Sequence, residues 1–213
     1  MEITKEILQY VINHSDKEDI VLSDLSRKTH LETIHPRMLS GNLQGKFLEF
    51  ISKMIKPKRI LEIGTYTGYS AICLAKGLSE KGLLYTIEIN DERKSIAEDF
   101  FNKAGFSSVI KMLIGNALNV IPTISETFDL IFIDADKPDY LNYYKAVIPK
   151  LNAGGFIIAD NVLWDGKVVK QVPKNDISTK GIIAFNEYIQ KDTSVENLIL
   201  PLRDGLTLIR KKD

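Results

Sequence analysis

Two short apolar runs in the second half of the chain end in side chains that carry oxygen. Asp134 follows the run 128–133, and Asp160 with Asn161 follows the run 155–159. If both runs are neighbouring strands of one parallel sheet, these side chains meet at the same end of the sheet. Two carboxylates and a carboxamide suit Mg²⁺, Mn²⁺ or Ca²⁺ and are poor ligands for Zn²⁺. Either aspartate alone would be read as a strand end or a helix cap, but the three together predict a divalent-cation site, with Mg²⁺ as the first expectation.

Lys137 lies three residues after Asp134 on the same loop. A partly desolvated lysine beside a divalent cation would have its pKa lowered toward that of a usable general base. The alternative is a solvated lysine at the start of a helix, and only its neighbours favour a catalytic role. We therefore predict that Lys137 and Asp134 act together in catalysis.

A glycine turn follows the first apolar run of the body, in the segment Glu62-Ile-Gly-Thr-Tyr-Thr-Gly-Tyr-Ser70. Gly64 and Gly68 let the backbone turn sharply and approach a ligand closely. Glu88 lies twenty residues after Gly68, where an acidic side chain commonly receives ribose hydroxyls. Three other residues separate the glycines, which disfavours a diphosphate, and Glu62 would repel phosphates but attract a cation. The pattern predicts a nucleoside-binding edge, whereas the simpler interpretation is a plain strand-to-helix turn.

The chain divides at about residue 58 into a helical preface and a body in which strands and helices alternate. Apolar runs predict strands over residues 59–63, 83–89, 109–114, 128–133, 155–159, 196–202 and 206–210. Helical spacing predicts helices over residues 69–79, 92–104, 116–124, 138–151 and 179–191. Alternating strands and helices imply parallel crossovers and a doubly wound α/β sheet. The tight link Arg203-Asp-Gly205 predicts that the last two strands form an antiparallel hairpin.

The preface carries two helical patterns. Apolar residues recur at helical spacing from Ile3 to Val11 and again from Phe47 to Ile55. Residues 13–42 between them are polar and interrupted, so we predict short helices joined by loops. Lys56 precedes a proline, which predicts the end of the last preface helix.

Composition excludes several classes of protein. The 213 residues form one domain's worth of chain, 1–213, with 28 basic and 28 acidic side chains that leave no positive field for nucleic acid or membrane surfaces. A single cysteine excludes an internal disulfide or a thiolate metal cluster. No apolar stretch approaches the roughly 20 residues that span a bilayer, and the first residues lack the basic head of a secretory signal. We expect a cytoplasmic protein.

The sequence contains neither a nucleophile elbow nor a P-loop, which argues against an acyl-transfer enzyme and against an NTPase.

These segments together resemble the metal-dependent class I O-methyltransferases of the caffeoyl-CoA and catechol O-methyltransferase group. The resemblance runs from Met38 to Arg210. Its most specific pieces are Leu61–Ser70, Phe132–Lys137 with Tyr140, Asp160–Trp164 and Asp204–Ile209.

The resemblance implies S-adenosylmethionine as cofactor, a seven-stranded Rossmann-like sheet with helices on both faces, and a homodimer. It assigns to the cofactor pocket Met38, Ser40, Glu62, Gly64, Thr65, Ser70, Glu88, Ala117, Asp134 and Asp136. It also matches Asp134, Asp160 and Asn161 to the metal ligands of the family, and Lys137 to its proposed base. The preface, residues 1–57, would help to cover acceptor and cofactor, while residues 58–213 form the catalytic core.

The expected acceptor is a catechol-like small molecule or another molecule with vicinal oxygens. Vicinal oxygens, as in a catechol, would suit a metal site. Trp164 either covers a flat substrate or packs in the protein, and Asp165 follows it where plant relatives carry a substrate-contacting asparagine. Leu43 stands where relatives often carry an acidic residue, and both departures disfavour a phenylpropanoid-CoA acceptor. The alternatives are a tRNA 5-hydroxyuridine O-methyltransferase, an NAD-dependent dehydrogenase and a non-catalytic binding module.

Overall fold

The strands form where short runs of branched and aromatic residues lie between turns. In parallel sheets covered on both faces such runs are almost continuously apolar, and in Phe128–Ile133 every residue except Asp129 is buried. The computed structural model describes residues 4–213. Its strands are β1 (Arg59–Ile63), β2 (Leu83–Glu88), β3 (Ile110–Ile114), β4 (Phe128–Ile133), β5 (Leu151–Asp160), β6 (Val195–Leu200) and β7 (Leu206–Lys211).

The strands form one sheet in the order β3-β2-β1-β4-β5-β7-β6. β1 to β5 are parallel, whereas β7 runs antiparallel to both β5 and β6. The predicted Rossmann-like sheet with an antiparallel carboxyl-terminal hairpin is therefore confirmed. The strand order reverses between β1 and β4, and ligands of doubly wound sheets bind beyond the carboxyl ends of strands at such a point.

Helices cover both faces of the sheet. They are α1 (Lys5–Asn13), α2 (Ile20–Glu32), α3 (Gly41–Ile55), α4 (Tyr69–Ala75), α5 (Lys94–Lys103), α6 (Ala117–Val120), α7 (Tyr140–Val147) and α8 (Ile177–Lys191). The buried residues of α2 to α5 share one apolar core with one face of the sheet. Those of α6, α7 and α8 share the core on the opposite face. Among the described residues no helix is long and apolar enough to cross a membrane.

Several helices of the body are shorter than the sequence pattern predicts. α4 ends at Ala75, and α6 has four residues because Pro122 interrupts the predicted helix. α7 stops at Val147, where a 3₁₀ turn containing Pro149 begins. β5 therefore starts at Leu151, four residues before the predicted start, and Leu151 pairs with Phe128 of β4. Proline ends α6 and α7 early because it removes a backbone donor and clashes with the preceding turn.

The preface contains a longer helix than expected. α2 spans thirteen residues within the segment predicted to hold only short helices. Asp19 caps its first turn by accepting a hydrogen bond from Val21 N at 2.9 Å, and Leu22 and Leu25 are buried. α3 ends as predicted, with Lys56 in the left-handed region at φ 52°. Ile3, the first residue of the earlier apolar pattern, lies outside the described residues.

Candidate functional site

The glycine turn brings the carboxyl ends of β1 and β4 into contact. Gly64 has φ 98°, and a Cβ added to it would stand 1.9 Å from the carbonyl oxygen of Asp134. Its N–H donates to the carbonyl of Ile87 at 2.9 Å. Gly68 has φ 92°, and its Cβ would collide with the ring of Phe101 at 2.5 Å. No other residue type fits either position without displacing its neighbours.

Glu62 lies completely buried beneath this turn. Its Oε2 accepts a 2.5 Å hydrogen bond from the hydroxyl of Thr86, whose oxygen is in turn 2.5 Å from the hydroxyl of Thr65. Burial raises the pKa of Glu62 to about 8, and the negative charges of Asp134 and Glu88 add to the rise, while the hydrogen bond from Thr86 opposes it. Within residues 4–213, Oε1 of Glu62 has no hydrogen-bond partner. A buried carboxyl with an open acceptor fits a ligand that carries positive charge or donates hydrogen bonds.

Glu88 ends β2 and is also buried. Its two oxygens accept hydrogen bonds from the backbone N–H groups of Tyr66, at 2.7 Å, and Asn90, at 2.9 Å. Each carboxylate oxygen keeps further acceptor capacity, as required for a pair of vicinal hydroxyls. The backbone contacts hold the side chain beside the glycine turn, as the nucleoside prediction requires.

The two aspartates of the predicted metal site lie side by side. Ile133 of β4 pairs with Ala159 of β5, so Asp134 and Asp160 follow at matching positions. Oδ1 of Asp160 accepts the N–H of Asn161 at 2.7 Å, and Asn161 has φ 57°. Burial and the negative charge of Asp134 raise the pKa of Asp160 to about 6.

These residues fit a divalent cation by their chemistry. A cation between the carboxylates would remove their mutual repulsion, and all the side-chain donors are oxygens. In the described part of the chain no group of three or more His, Cys, Asp or Glu side chains converges. The candidate site therefore depends on the carboxamide of Asn161 as its third protein ligand.

Lys137 is buried beside this pair. Its Nζ donates to Oδ1 of Asp134 at 2.9 Å and to the hydroxyl of Tyr140 at 2.7 Å. The hydroxyl of Tyr140 donates to the carbonyl of Asp160 at 2.8 Å, which links the ends of β4 and β5. Burial lowers the pKa of Lys137, but Asp134 and Tyr140 outweigh it, so that the pKa lies above its ordinary value. The prediction of a lowered pKa was made for Lys137 beside a bound divalent cation. Without a cation, the ion pair with Asp134 stabilises the ammonium form.

The segments that flank these strand ends carry the remaining predicted residues. Met38 is 58% exposed, and Ser40 is buried at the start of α3. Ala117 is buried as the first residue of α6, whereas Asp136 is exposed before Lys137. The hydroxyl of Thr65 is turned toward Thr86, so its side chain lies inside the protein rather than at the surface of the turn.

Trp164 and Asp165 lie on the loop after β5. Trp164, Asp165 and Gly166 all have positive φ, between 48° and 67°. The ring centroid of Trp164 is 5.9 Å from Nζ of Lys137, and within residues 4–213 its buried indole nitrogen has no hydrogen-bond partner. Asp165 is exposed and donates its N–H to Oδ1 of Asp204 at 2.6 Å. Trp164 therefore lies beside Lys137, and the backbone of Asp165 is hydrogen-bonded to the turn between β6 and β7.

Two residues of this site are absent from the sequence prediction. Gln44 of α3 is fully buried and donates from Nε2 to Oδ2 of Asp160 at 2.5 Å. Nη1 of Arg203, in the turn between β6 and β7, donates to Oε1 of Gln44 at 3.1 Å. No motif in the polar preface singles out Gln44, and the segment Arg203-Asp-Gly205 indicates only a tight turn.

Comparisons with known proteins agree with this geometry. A sequence model of the family described as O-methyltransferase matches residues 12–212. A catechol O-methyltransferase of Niastella koreensis is 36% identical over 174 residues, covering 78% of each chain. A caffeoyl-CoA O-methyltransferase of Nicotiana tabacum is 35% identical over 181 residues, covering 79% of this chain and 75% of the relative. The O-methyltransferase TomG of Streptomyces achromogenes, solved with S-adenosylmethionine, superposes with a TM-score of 0.91 at 29% identity, covering 98% and 96% of the two chains.

The family match spans almost the whole chain, and the fold and the glycine turn agree with it. The protein therefore belongs to the S-adenosylmethionine-dependent O-methyltransferase family of the caffeoyl-CoA and catechol class.

Proposed function

We propose that this protein is a divalent-metal-dependent enzyme that transfers a methyl group to a hydroxyl of a catechol-like small molecule or another acceptor with vicinal oxygens. The observation that carries the proposal is the pairing of Asp134 with Asp160 at adjacent strand ends, beside Lys137 and the glycine turn. Names of relatives support the acceptor class, since both a catechol and a caffeoyl-CoA O-methyltransferase match this chain.

The cofactor pocket is proposed around the glycine turn. S-adenosylmethionine would supply an electrophilic methyl group on a cationic sulfonium centre. Glu62, with its unpartnered Oε1, would favour positive charge, and Glu88 would receive the ribose hydroxyls. Gly64 allows close backbone approach. The other proposed lining residues are Met38, Ser40, Thr65 (through its backbone), Ser70, Ala117, Asp134 and Asp136.

The metal is proposed at Asp134, Asp160 and Asn161, with Mg²⁺ as the first candidate because the set is all oxygen. A bound cation would supply a Lewis acid that lowers the pKa of an acceptor hydroxyl. Gln44 and the N–H of Asn161 hold the Asp160 carboxylate from both oxygens. Three protein ligands leave coordination positions for water or an acceptor.

A bound cation would place positive charge beside Lys137 and so favour its neutral amine. We propose that this amine receives the acceptor proton, or that the ammonium form stabilises the acceptor oxygen electrostatically. Nζ of Lys137 is held by Asp134 and Tyr140, and it lies under the Trp164 ring. Burial excludes bulk water from this ammonium, which strengthens its effect on a nearby oxyanion. Trp164 would cover the acceptor ring, and Asp165 would lie at the pocket entrance.

The preface is proposed to cover acceptor and cofactor and to form a homodimer. It exposes large apolar side chains, with Ile20, Leu31, Ile34, Phe50 and Met54 each more than half exposed. A second copy of the chain would remove such a surface from water. Light scattering during size-exclusion chromatography measures this directly, and a monomer at micromolar concentration would contradict it.

A methyl-transfer assay with and without chelator tests the proposed function. Catechols, hydroxycinnamoyl thioesters and hypomodified tRNA are offered separately, and products are identified by mass spectrometry. We expect transfer to a catechol, loss of transfer with EDTA, and recovery with Mg²⁺. Asp160→Ala should abolish turnover while leaving cofactor binding nearly intact. The control variant Asp99→Ala, on the outer face of α5, should leave turnover unchanged. Transfer to tRNA alone, or turnover by Asp160→Ala at the wild-type rate, would overturn the proposal.

A further inference from the structure

The turn between β6 and β7 contacts both segments that enclose the candidate metal site. Arg203 has φ 53° in this turn, and its Nη1 donates to the carbonyls of Leu39, at 3.1 Å, and of Ser40. The same nitrogen donates to Oε1 of Gln44 at 3.1 Å. The arginine thus reaches from the terminal hairpin to the start of α3.

This contact fixes which way the carboxamide of Gln44 points. Gln44 is fully buried, and its oxygen faces a guanidinium that can only donate. The amide nitrogen must therefore face Oδ2 of Asp160, where it lies at 2.5 Å. A reversed amide would set two donors against each other on one side and two acceptors on the other.

Asp160 is consequently held at both oxygens. Gln44 donates to Oδ2, and the N–H of Asn161 donates to Oδ1 at 2.7 Å. These bonds limit rotation of the carboxylate about its side-chain bonds and leave the remaining lone pairs free. Groups of this kind orient the ligands of a metal and tune its affinity.

The next residues of the turn hold the loop that follows the metal site. The carbonyl of Asp204 accepts the N–H of Leu163 at 2.9 Å, and its Oδ1 accepts the N–H of Asp165 at 2.6 Å. Gly205 has φ 87°, and a Cβ there would lie 2.5 Å from Leu163. One turn therefore fixes both the preface on one side and the acceptor loop on the other.

We propose that Arg203 and Gln44 are positioning residues that act in series, with Arg203 orienting Gln44 and Gln44 orienting Asp160 for a divalent cation. This inference rests on the proposed metal site. It assigns to the terminal turn a role in cation affinity, transmitted across the fold from residue 203 through residue 44 to residue 160.

Binding of Mn²⁺ alone tests the series, measured by the electron paramagnetic resonance signal of the free ion. Gln44→Met should weaken Mn²⁺ binding about 10- to 100-fold, and Arg203→Met about several-fold. The double variant should bind no more weakly than Gln44→Met, because Arg203 acts only through Gln44. Arg203→Lys, which keeps a donor, should recover part of the loss. Arg210→Met, which removes a cation of β7 that pairs with Glu196, should bind like wild type.

Circular dichroism and affinity for S-adenosylhomocysteine separate a local effect from misfolding, and we expect both to match wild type in the Arg203 variants. If Gln44→Met does not fold, the Mn²⁺ affinities of Arg203→Met and Arg203→Lys test the series instead. Both variants should fold, because Arg203 is exposed. Wild-type Mn²⁺ affinity in folded Gln44→Met or in Arg203→Met, or fully multiplicative losses in the double variant, would overturn the series. If wild type itself takes up no Mn²⁺, the metal part of the proposed function fails as well, whereas equal binding by wild type and variants refutes the series alone.

Discussion

Glu62→Gln should stabilise the unliganded protein at pH 8 and change its stability little near pH 4.5. Burial raises the pKa of Glu62 from its ordinary value of 4.5 to about 8. Between these values the unfolded chain loses the proton while the folded protein keeps it. The contribution of Glu62 to the free energy of unfolding is therefore fully present below pH 4.5 and is lost as pH rises toward 8. Glutamine has the shape of the protonated acid and cannot ionise.

The size of the effect follows from the two pKa values. Each pKa unit corresponds to 1.36 kcal/mol, so the difference between 4.5 and about 8 amounts to about 5 kcal/mol. We take this as an upper limit, because local opening would let water reach the carboxylate. The free-energy gain of Glu62→Gln over wild type should thus grow by up to about 1.4 kcal/mol for each pH unit in this window.

Urea unfolding of wild type and Glu62→Gln at four pH values between 5 and 8 measures this difference. Subtracting wild type at each pH removes the contribution of the other titrating groups. Glu98→Gln is the matched control, because its side chain is 54% exposed and its difference from wild type should not change with pH. Parallel curves for wild type and Glu62→Gln would refute the assignment of a buried, protonated Glu62. The same variant should bind S-adenosylmethionine more weakly, since glutamine cannot ionise when the sulfonium approaches, whereas Glu62 can lose its proton beside a positive charge.

Gly64→Ala should abolish binding of S-adenosylhomocysteine, because its Cβ would stand 1.9 Å from the carbonyl oxygen of Asp134; calorimetric titration showing wild-type affinity would contradict this. Lys137→Met should lower kcat by about 100-fold or more while cofactor affinity stays within about threefold, and an unchanged kcat would exclude a role in proton transfer. Tyr140→Phe removes the hydroxyl that joins Lys137 to the carbonyl of Asp160, and should lower the free energy of unfolding in urea by about 1–3 kcal/mol; an unchanged value would mean that this link is not stabilising.

The strand ends were predictable because their signal is local. An apolar run that stops at a carboxylate shows where a parallel strand ends, and β4 and β5 place Asp134 and Asp160 at matching positions. The glycine turn was predictable for the same reason, since Gly64 and Gly68 both need positive φ. The helix boundaries were less accurate where proline broke a pattern that otherwise continued.

Contacts between distant segments could not be read from the sequence. Arg203 and Gln44 are 159 residues apart, and neither lies in a repeating pattern that indicates their contact. The raised pKa of Lys137 in the absence of a cation depends on its distances to Asp134 and Tyr140, which the sequence does not contain. The sequence likewise does not show that the hydroxyl of Thr65 is turned toward Thr86.

Anomalous diffraction from crystals soaked with Mn²⁺ and S-adenosylhomocysteine measures the central claim most directly. We predict one strong peak within about 2.6 Å of side-chain oxygens of Asp134, Asp160 and Asn161, beside density for the nucleoside at the glycine turn. A manganese peak elsewhere, or none at these three residues while the nucleoside is bound, would contradict it.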